Sequence, residues 1–270
     1  MLLSVVLTFI VESERPMPAS HGRAIYAFFL DLLESRFPLV AKALHAPTKE
    51  KPFTTSPIQG KFKSYKGNLY PQRGSLYWFR FTSLTKDLSV MLKGQLFSIR
   101  GKKIEILNND FVLSEVITSQ EKHPFAAEIS YVDFFKKWTE SSKNMKNKVI
   151  VRFFSPTAFR DGKRNVPLPI PQLFLQSVFR KWNAFSPFLF KPICLEILLK
   201  RIVLSRCEIK TKILSFDKQS EVGFVGDCEF MLIPFQGNIY DSLFHLLSDY
   251  AFYCGVGATT SMGMGQVKVL

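Results

Sequence analysis

Apolar residues recur along the first half of the chain with spacings that change from strand-like to helix-like. Residues 2–11 alternate weakly and predict a first strand, and residues 21–35 place apolar side chains on one helical face after Ser20, a candidate N-cap. The elements predicted after them are a short helix at 38–45, an extended segment at 51–57, a strand at 75–83, a helix at 84–96 and one or two strands within 104–117. The first half therefore predicts the order β-α-(α)-β-β-α-β.

The same order of elements returns in the second half of the chain. The predicted elements are a strand at 148–154, a helix at 171–185, paired strands at 202–215 and 222–234, a helix at 238–254 capped by Asn238 and ended by Gly255, and a strand at 266–270. Two successive βαββαβ units predict an α+β protein with tandem ferredoxin-like (RRM-like) domains. The predicted domains are residues 1–120 and 148–270, joined by a linker at 121–147 that includes a short helix at 130–140.

RNA-recognition modules share this element order. Neither predicted third strand carries their RNP1-like aromatic string, so RNA binding on the sheet face is not predicted.

The net charge of the chain indicates the kind of partner that it binds. Lys and Arg total 36 against 22 acidic residues, a net charge of +14, and 47% of the residues are hydrophobic. A chain this apolar is not a disordered, collagen-like or small disulfide-stapled protein. A folded chain this basic most often binds nucleic acid and less often an anionic membrane. The apolar start at 1–10 is too short for a membrane span and lacks signal-peptide features, so we expect no membrane partner.

The four cysteines, Cys194, Cys207, Cys228 and Cys254, show no CxxC pairing and lie within apolar stretches. We expect buried free thiols in a reducing cytoplasm rather than disulfides or a zinc site.

A glycine-rich segment, GVGATTSMGMG, lies between the last predicted helix and the last strand. Gly255, Gly257, Gly263 and Gly265 allow positive φ and close backbone approach, and successive N–H groups there can form an anion nest for phosphate. The alternative is a flexible helix-to-strand turn. The segment is neither a Walker A loop nor a Rossmann fingerprint, because no Gly-Lys-Ser/Thr follows and a helix precedes it.

Two further segments carry candidate chemistry. His45 ends a predicted helix six residues before Lys51, so an imidazole that moves a proton and an ammonium that stabilises phosphoryl charge can meet at one phosphate. An isolated histidine and lysine at this spacing are more often solvent-exposed surface residues without a catalytic role. The run from Phe153 through Arg160, Lys163 and Arg164 predicts either a phosphate-binding edge or simply a strand and a basic loop.

Together these segments resemble the CRISPR-associated repeat endoribonucleases, members of the glycine-rich-loop (RAMP) superfamily that cut precursor CRISPR RNA. The resemblance is carried by HGRAIYAFFLDLLES, LH…KPFTTSP, SPTAFR…PLPIPQLFLQSVFRKWN and the terminal glycine loop, and covers nearly the whole chain. It implies two ferredoxin-like domains with a central cleft and a reaction without metal or cofactor. The RNA 2′-hydroxyl attacks the adjacent phosphate and leaves 2′,3′-cyclic phosphate and 5′-hydroxyl ends. His45 is implied as general base or acid, and Lys51 as the stabiliser of transition-state charge.

One position departs from the family pattern. Some members carry a catalytic tyrosine fifteen residues before the histidine, where this chain has Leu30. Tyr26, one helical turn earlier on the same face, is a substitute candidate. His21 is another, because a helix N-terminus lowers a histidine pKa and favours the neutral base; its alternative is an exposed capping-region residue. His123 and His245 are interpreted as structural.

Basic residues supply candidate RNA contacts. They are Lys61, Lys63, Lys66, Arg73, Arg160, Lys163 and Arg164, each of which is otherwise a solvated surface charge. Tyr65 and Tyr70 lie among them and predict either base stacking or packing on a strand face.

Three functions follow from these residues. The first is a metal-independent endoribonuclease that matures CRISPR RNA in a prokaryotic cytoplasm, as a monomer or homodimer. The second is a non-catalytic subunit that holds guide RNA in a CRISPR effector complex, and Leu30 keeps it open. The third is an unrelated basic interaction protein.

Overall fold

The computed structural model describes residues 1–48, 50–140, 146–216, 219–234 and 239–270. They form two compact units. Unit 1 comprises residues 1–128 and 261–263, and unit 2 comprises residues 129–260 and 264–270. Within the described ranges, no helix is long and apolar enough to cross a membrane.

Unit 1 is built on a mixed set of strands and helices. Its strands are β1 (Leu2–Val11), β2 (Met17–Pro18), β3 (Phe53–Thr55), β4 (Phe62–Tyr65), β5 (Asn68–Pro71), β6 (Leu76–Ser83), β7 (Lys103–Ile106), β8 (Asn109–Ile117) and β9 (Ala127–Ile129), and its helices are α1 (Gly22–Glu34), α2 (Pro38–His45) and α3 (Lys86–Ser98). The main sheet has the order β3-β6-β1-β8-β7, with β9 also on β1. Taken in chain order without the added β7 and β9, this is the 2-3-1-4 arrangement of a ferredoxin-like βαββαβ unit.

The core of unit 1 lies between the main sheet and α1 and α3. The central strand β1 is buried at nine of its ten residues, which explains its weak alternation in sequence. Phe29 of α1 stacks on Phe53 of β3 with ring centroids 4.2 Å apart, and Phe9 stacks on Phe79 at 4.8 Å. The Phe29–Phe53 contact fixes α1 against β3, and the Phe9–Phe79 contact joins the neighbouring strands β1 and β6. Elements α1 and β3 both flank the candidate site.

Unit 2 repeats the arrangement. Its strands are β10 (Lys148–Thr157), β11 (Phe159–Asp161), β12 (Arg164–Val166), β13 (Ile202–Phe216), β14 (Gln219–Leu232) and β15 (Val267–Val269), and its helices are α4 (Tyr131–Glu140), α5 (Pro171–Phe185), α6 (Pro192–Arg201) and α7 (Ile239–Cys254). The sheet order is β13-β14-β10-β15, again 2-3-1-4. The predicted pair of ferredoxin-like units is confirmed.

Several local predictions differ from the structure. The N-cap position of α1 is His21 rather than Ser20, and no side chain caps the helix there. The predicted cap Asn238 lies outside the described residues. Helix α6 was not predicted. The stretch 121–147 contains the short helix predicted at 130–140, which is α4, and also β9, which was not predicted. Phe134 of α4 packs near Trp182 and Tyr250 of the unit 2 core.

The cysteine prediction holds only in part. All four thiols are free, and Cys228 and Cys254 are buried. Cys194 is half-buried and Cys207 is exposed, so burial was wrong for these two. Cys207 lies on β13, which forms the edge of the unit 2 sheet, and an edge strand is covered on fewer sides than its neighbours.

Candidate active site and nucleic-acid-binding residues

His45 and Tyr26 meet in unit 1. His45 is the last residue of α2 and is exposed, while Tyr26 lies on the buried face of α1. The Tyr26 hydroxyl is 3.2 Å from Nδ1 of His45. The Tyr26 ring lies parallel to Phe53 at a centroid distance of 6.1 Å, and burial raises the pKa of its hydroxyl. A neutral phenol, held by the core, therefore contacts one nitrogen of an exposed imidazole.

This contact has a chemical consequence for His45. A hydrogen bond at Nδ1 leaves Nε2 as the nitrogen that can exchange a proton with a substrate. Nε2 accepts a proton only when Nδ1 carries the ring hydrogen, and Nδ1–H then donates to the Tyr26 oxygen. The imidazolium formed afterwards keeps that same bond. Tyr26 can thus orient His45 in both its basic and its acidic form.

Lys51 lies at the end of the same helix. Its Nζ donates hydrogen bonds to the carbonyl oxygens of Leu44 and Ala46, the residues on either side of His45. These carbonyls lie at the negative end of α2, where a cation is favoured. Partial burial lowers the pKa of Lys51. The ammonium has three donors, so two fix the backbone around His45 and one is left for other acceptors.

Leu30 and His21, the other two positions considered on or beside the first helix, do not contact His45 in the way that Tyr26 does. Leu30 is half-buried and packs against the hydrophobic core of unit 1. His21 is 3% exposed, so the alternative of an exposed capping residue was wrong. Its Nε2 accepts from the N–H of Ile58 at 2.8 Å and its Nδ1 donates to the carbonyl of Pro18 at 3.1 Å. Burial lowers its pKa. Both ring nitrogens are hydrogen-bonded to the backbone, and a catalytic role for His21 stays a prediction.

The tip of the glycine-rich segment contacts α1 and the segment after Lys51. A Cβ on Gly22 would lie 2.0 Å from the carbonyl oxygen of Met262, so only glycine fits at the start of α1. The Thr55 hydroxyl donates to the carbonyl of Ser261 at 2.9 Å. Residues 261–263 are therefore part of unit 1 and hold the segment that carries Lys51.

The rest of the glycine-rich segment is stabilised within unit 2. The N–H of Gly255 donates to Ala251 O, that of Gly257 to Ser177 Oγ and that of Gly265 to Pro156 O. Because these amides already have intramolecular acceptors, the predicted anion nest is not formed at the three positions. The glycines serve close packing instead: a Cβ on Gly265 would lie 2.0 Å from Val256 O, and one on Gly257 would lie 2.3 Å from Ala158 O. Direct RNA contact by these glycines stays a prediction.

Lys181 is a buried residue whose role the sequence did not reveal. It is 4% exposed on α5, and its Nζ donates to the carbonyls of Cys254 and Gly255 at 2.9 and 3.1 Å and to the Thr260 hydroxyl at 3.3 Å. The ammonium thus caps the end of α7 and fixes the start of the glycine-rich segment. A lysine on the apolar face of α5, beside Val178 and Trp182, was the signal available in the sequence.

The candidate RNA contacts form two groups, one on each unit. In unit 2, Arg160, Lys163 and Arg164 are exposed on the β11–β12 hairpin, which turns at Gly162. In unit 1, the exposed residues on or beside the β4–β5 hairpin are Lys61, Lys63, Lys66 and Arg73. Neither hairpin was predicted, and the β11–β12 hairpin falls in the stretch for which a basic loop was one of two predictions.

Comparisons with known proteins match this chain to one family. Residues 1–136 match the family model of the CRISPR Cas6 N-terminal domain, and residues 151–267 match that of the CRISPR-associated endoribonuclease Cas6. A comparison with curated proteins found no match.

Solved structures agree with the family match. A Cas6 protein solved as a product complex is 26% identical, with a TM-score of 0.82 and 100% of each chain covered. A Cas6 solved with a substrate mimic is 26% identical, with a TM-score of 0.76 over 100% of this chain and 99% of that one. Thermus thermophilus Cas6 is 26% identical, with a TM-score of 0.73 over 100% and 98%.

Proposed function

Because this chain belongs to the family of CRISPR-associated Cas6 endoribonucleases, which process precursor CRISPR RNA, we propose that it cuts within the repeat by metal-independent attack of a 2′-hydroxyl. The observation that carries the proposal is the contact between the Tyr26 hydroxyl and Nδ1 of the exposed His45. It provides an oriented proton-transfer group at the end of a helix. Among the residues that the structure describes, no group of three or more His, Cys, Asp or Glu side chains could hold a metal ion.

The reaction divides between the residues as follows. Nε2 of His45 takes the proton of the 2′-hydroxyl, whose oxygen bonds to phosphorus as the bond from phosphorus to the 5′-oxygen breaks. The departing 5′-oxygen takes a proton from the imidazolium or from water. The products are a 2′,3′-cyclic phosphate and a 5′-hydroxyl, and no water is consumed.

Lys51 has two tasks in this proposal. It holds the carbonyls of Leu44 and Ala46, and its third donor stabilises negative charge on the phosphoryl oxygens. Lys51→Ala is therefore expected to slow cleavage less than His45→Ala. Two solved Cas6 relatives, one in a product complex and one in a substrate mimic complex, support a CRISPR repeat RNA as the substrate of this chain.

The test is incubation of the pure protein with labelled repeat RNA in excess EDTA, beside the same RNA with a 2′-deoxy nucleotide at the cut site. Cleavage in EDTA that is lost with the 2′-deoxy RNA supports the proposal. His45→Ala is expected to lower the rate by about 10²- to 10⁴-fold with binding retained, the range for loss of a general acid or base. His123→Ala, which removes a histidine that contacts Trp78 in the same unit, is the matched control.

The alternative function is a non-catalytic subunit that holds guide RNA. Leu30, which packs in the core at the position of the family tyrosine, is the feature that favours it. Tight binding of several cognate repeats without cleavage would establish this alternative and refute the proposed chemistry.

A further inference from the structure

The β4–β5 hairpin of unit 1 presents two tyrosines that the core does not use. Lys63 is paired with Tyr70 in the register, so Lys63, Tyr65 and Tyr70 share one face. The opposite face carries Phe62 and Leu69, which pack against the hydrophobic core. Tyr65 is 60% exposed. Packing against the core explains Phe62 and Leu69 on the opposite face. It does not explain Tyr65, whose ring is largely in solvent.

This hairpin is held in a fixed position on the main sheet. The hydroxyl of Tyr77, a fully buried residue of β6, donates to the carbonyl of Lys61 and accepts from the N–H of Gln72 at 2.8 Å. The rings of Phe62 and Tyr77 lie 4.9 Å apart. Lys66 and Gly67 form the turn with φ of 47° and 79°, as a tight two-residue hairpin requires. The exposed face is thus a preorganised surface.

A shallow niche opens on this face. Its lining residues are Glu14, Lys63, Tyr65, Tyr70, Pro71 and Gln72. Glu14 is fixed because its Oε1 accepts a hydrogen bond from the N–H of Arg73 at 2.9 Å. The Lys66 ammonium lies 5.3 Å from the Tyr65 ring centroid. Aromatic rings, cations and one carboxylate therefore surround a single concave surface.

We propose that this niche binds an unpaired nucleobase of the RNA strand, a site that adds to the proposed function and rests on RNA being the ligand. Tyrosine rings offer a stacking surface to any base, and Lys63 pairs with the phosphate beside it. Glu14 decides between base and phosphate, because a carboxylate repels phosphate but accepts a hydrogen bond from an exocyclic amine. Cytosine and adenine carry such an amine and uracil does not.

Binding of short, labelled single-stranded RNA tests the niche. Fluorescence anisotropy with oligocytidine is expected to show about 5- to 100-fold weaker binding for Tyr65→Ala, the range for loss of one stacked base. Tyr65→Phe retains the ring and is expected to retain the affinity. Phe97→Ala, which removes an aromatic residue that is 52% exposed on α3, is the control and is expected to bind as the unaltered protein does.

Two further variants separate stacking from charge. Lys63→Gln is expected to lower the slope of log affinity against log salt by about one unit, whereas Tyr65→Ala leaves it unchanged. Glu14→Gln is expected to remove a preference for oligocytidine over oligouridine. Equal affinity of the unaltered protein and Tyr65→Ala overturns the proposal and leaves the hairpin to another partner, such as a protein.

The outcome is independent of the proposed chemistry, because it is read from binding. An RNA that binds through Tyr65 but is not cut in EDTA refutes the cleavage mechanism and supports the niche. If the unaltered protein cuts the RNA in EDTA and Tyr65→Ala binds RNA with unchanged affinity, the cleavage mechanism is supported and the niche is refuted.

Discussion

Replacing Tyr26 by phenylalanine removes one hydroxyl and tests how His45 is positioned. The ring is 7% exposed and lies parallel to Phe53, and both features are preserved in Tyr26→Phe. The change therefore deletes the 3.2 Å contact with Nδ1 and little else.

The structure sets two different magnitudes for this change. A single neutral hydrogen bond at a partly buried site contributes about 1 kcal/mol to stability, so the free energy of unfolding falls by about that amount. During cleavage the imidazole becomes charged, and hydrogen bonds to charged groups are worth about 1.5–3 kcal/mol. Only the difference between the two states changes the barrier, and that difference is about 0.5–2 kcal/mol. At about 1.4 kcal/mol per factor of ten, the single-turnover rate is expected to fall by about 2- to 30-fold.

Two measurements check the reasoning. Single-turnover cleavage of repeat RNA gives the rate, and ¹⁵N chemical shifts of the His45 ring report which nitrogen carries the hydrogen. The Nδ1–H form is expected in the unaltered protein and is expected to decline in Tyr26→Phe. Tyr131→Phe, which removes a hydroxyl at similar burial in unit 2, controls for general loss of stability. An unchanged rate together with an unchanged ring tautomer in Tyr26→Phe refutes the positioning role.

Four further outcomes are expected. Lys181→Met leaves buried carbonyls without their donor and should lower the free energy of unfolding by about 3 kcal/mol in urea titrations; a loss below about 1 kcal/mol would contradict the capping role. His21 has a pKa below its unfolded value of 6.5, so its contribution to stability is present above that pH and should be lost as pH falls below it; His21→Gln should lack this pH slope. Gly22→Ala should destabilise unit 1 through the clash with Met262, whereas Gly94→Ala, with open space around it in α3, should be neutral or stabilising; equal melting temperatures would refute the close approach. Neutralising the β11–β12 hairpin should weaken RNA binding and flatten its salt dependence, and an unchanged slope would exclude the hairpin from the interface. The variant for this last test combines Arg160→Gln, Lys163→Gln and Arg164→Gln.

The periodic elements were accessible from sequence because their signals are local. Helix α5 begins and ends where its pattern predicted, at Pro171 and Phe185, since a proline at the first turn and a regular apolar face mark it. Helix α6 was missed because it lies in a short run between Pro187 and Ile202 in which apolar residues are scattered without a clear face. Most of its apolar residues are only half-buried, and Ile193 is exposed.

The hairpins were missed for a related reason. Strands β4 and β5 carry lysines and tyrosines on their outer face, whereas Phe62 and Leu69 pack against the core and Pro71 is buried. Because so few positions are buried, the alternation of apolar and polar residues that indicates a half-buried strand is too short to be recognised. The positive φ of Lys66, a non-glycine residue, gave no sign in the sequence.

The amino-acid sequence was enough to predict a basic, apolar-rich chain with the βαββαβ order, and a histidine and a lysine six residues apart at the end of a helix. Which partners those residues contact depends on long-range packing. Tyr26 and His45 are nineteen residues apart and meet only because α1 and α2 fold back on each other. The His21 ring is buried, and its nitrogens bond to the backbone of Pro18 and of Ile58, thirty-seven residues away. The glycine-rich segment was recognisable in the sequence. Which of its N–H groups already have hydrogen-bond acceptors depends on residues distant in the chain, such as Pro156 and Ser177. Local sequence fixes propensity and spacing, whereas hydrogen-bond partners and burial arise from long-range packing that no single segment encodes.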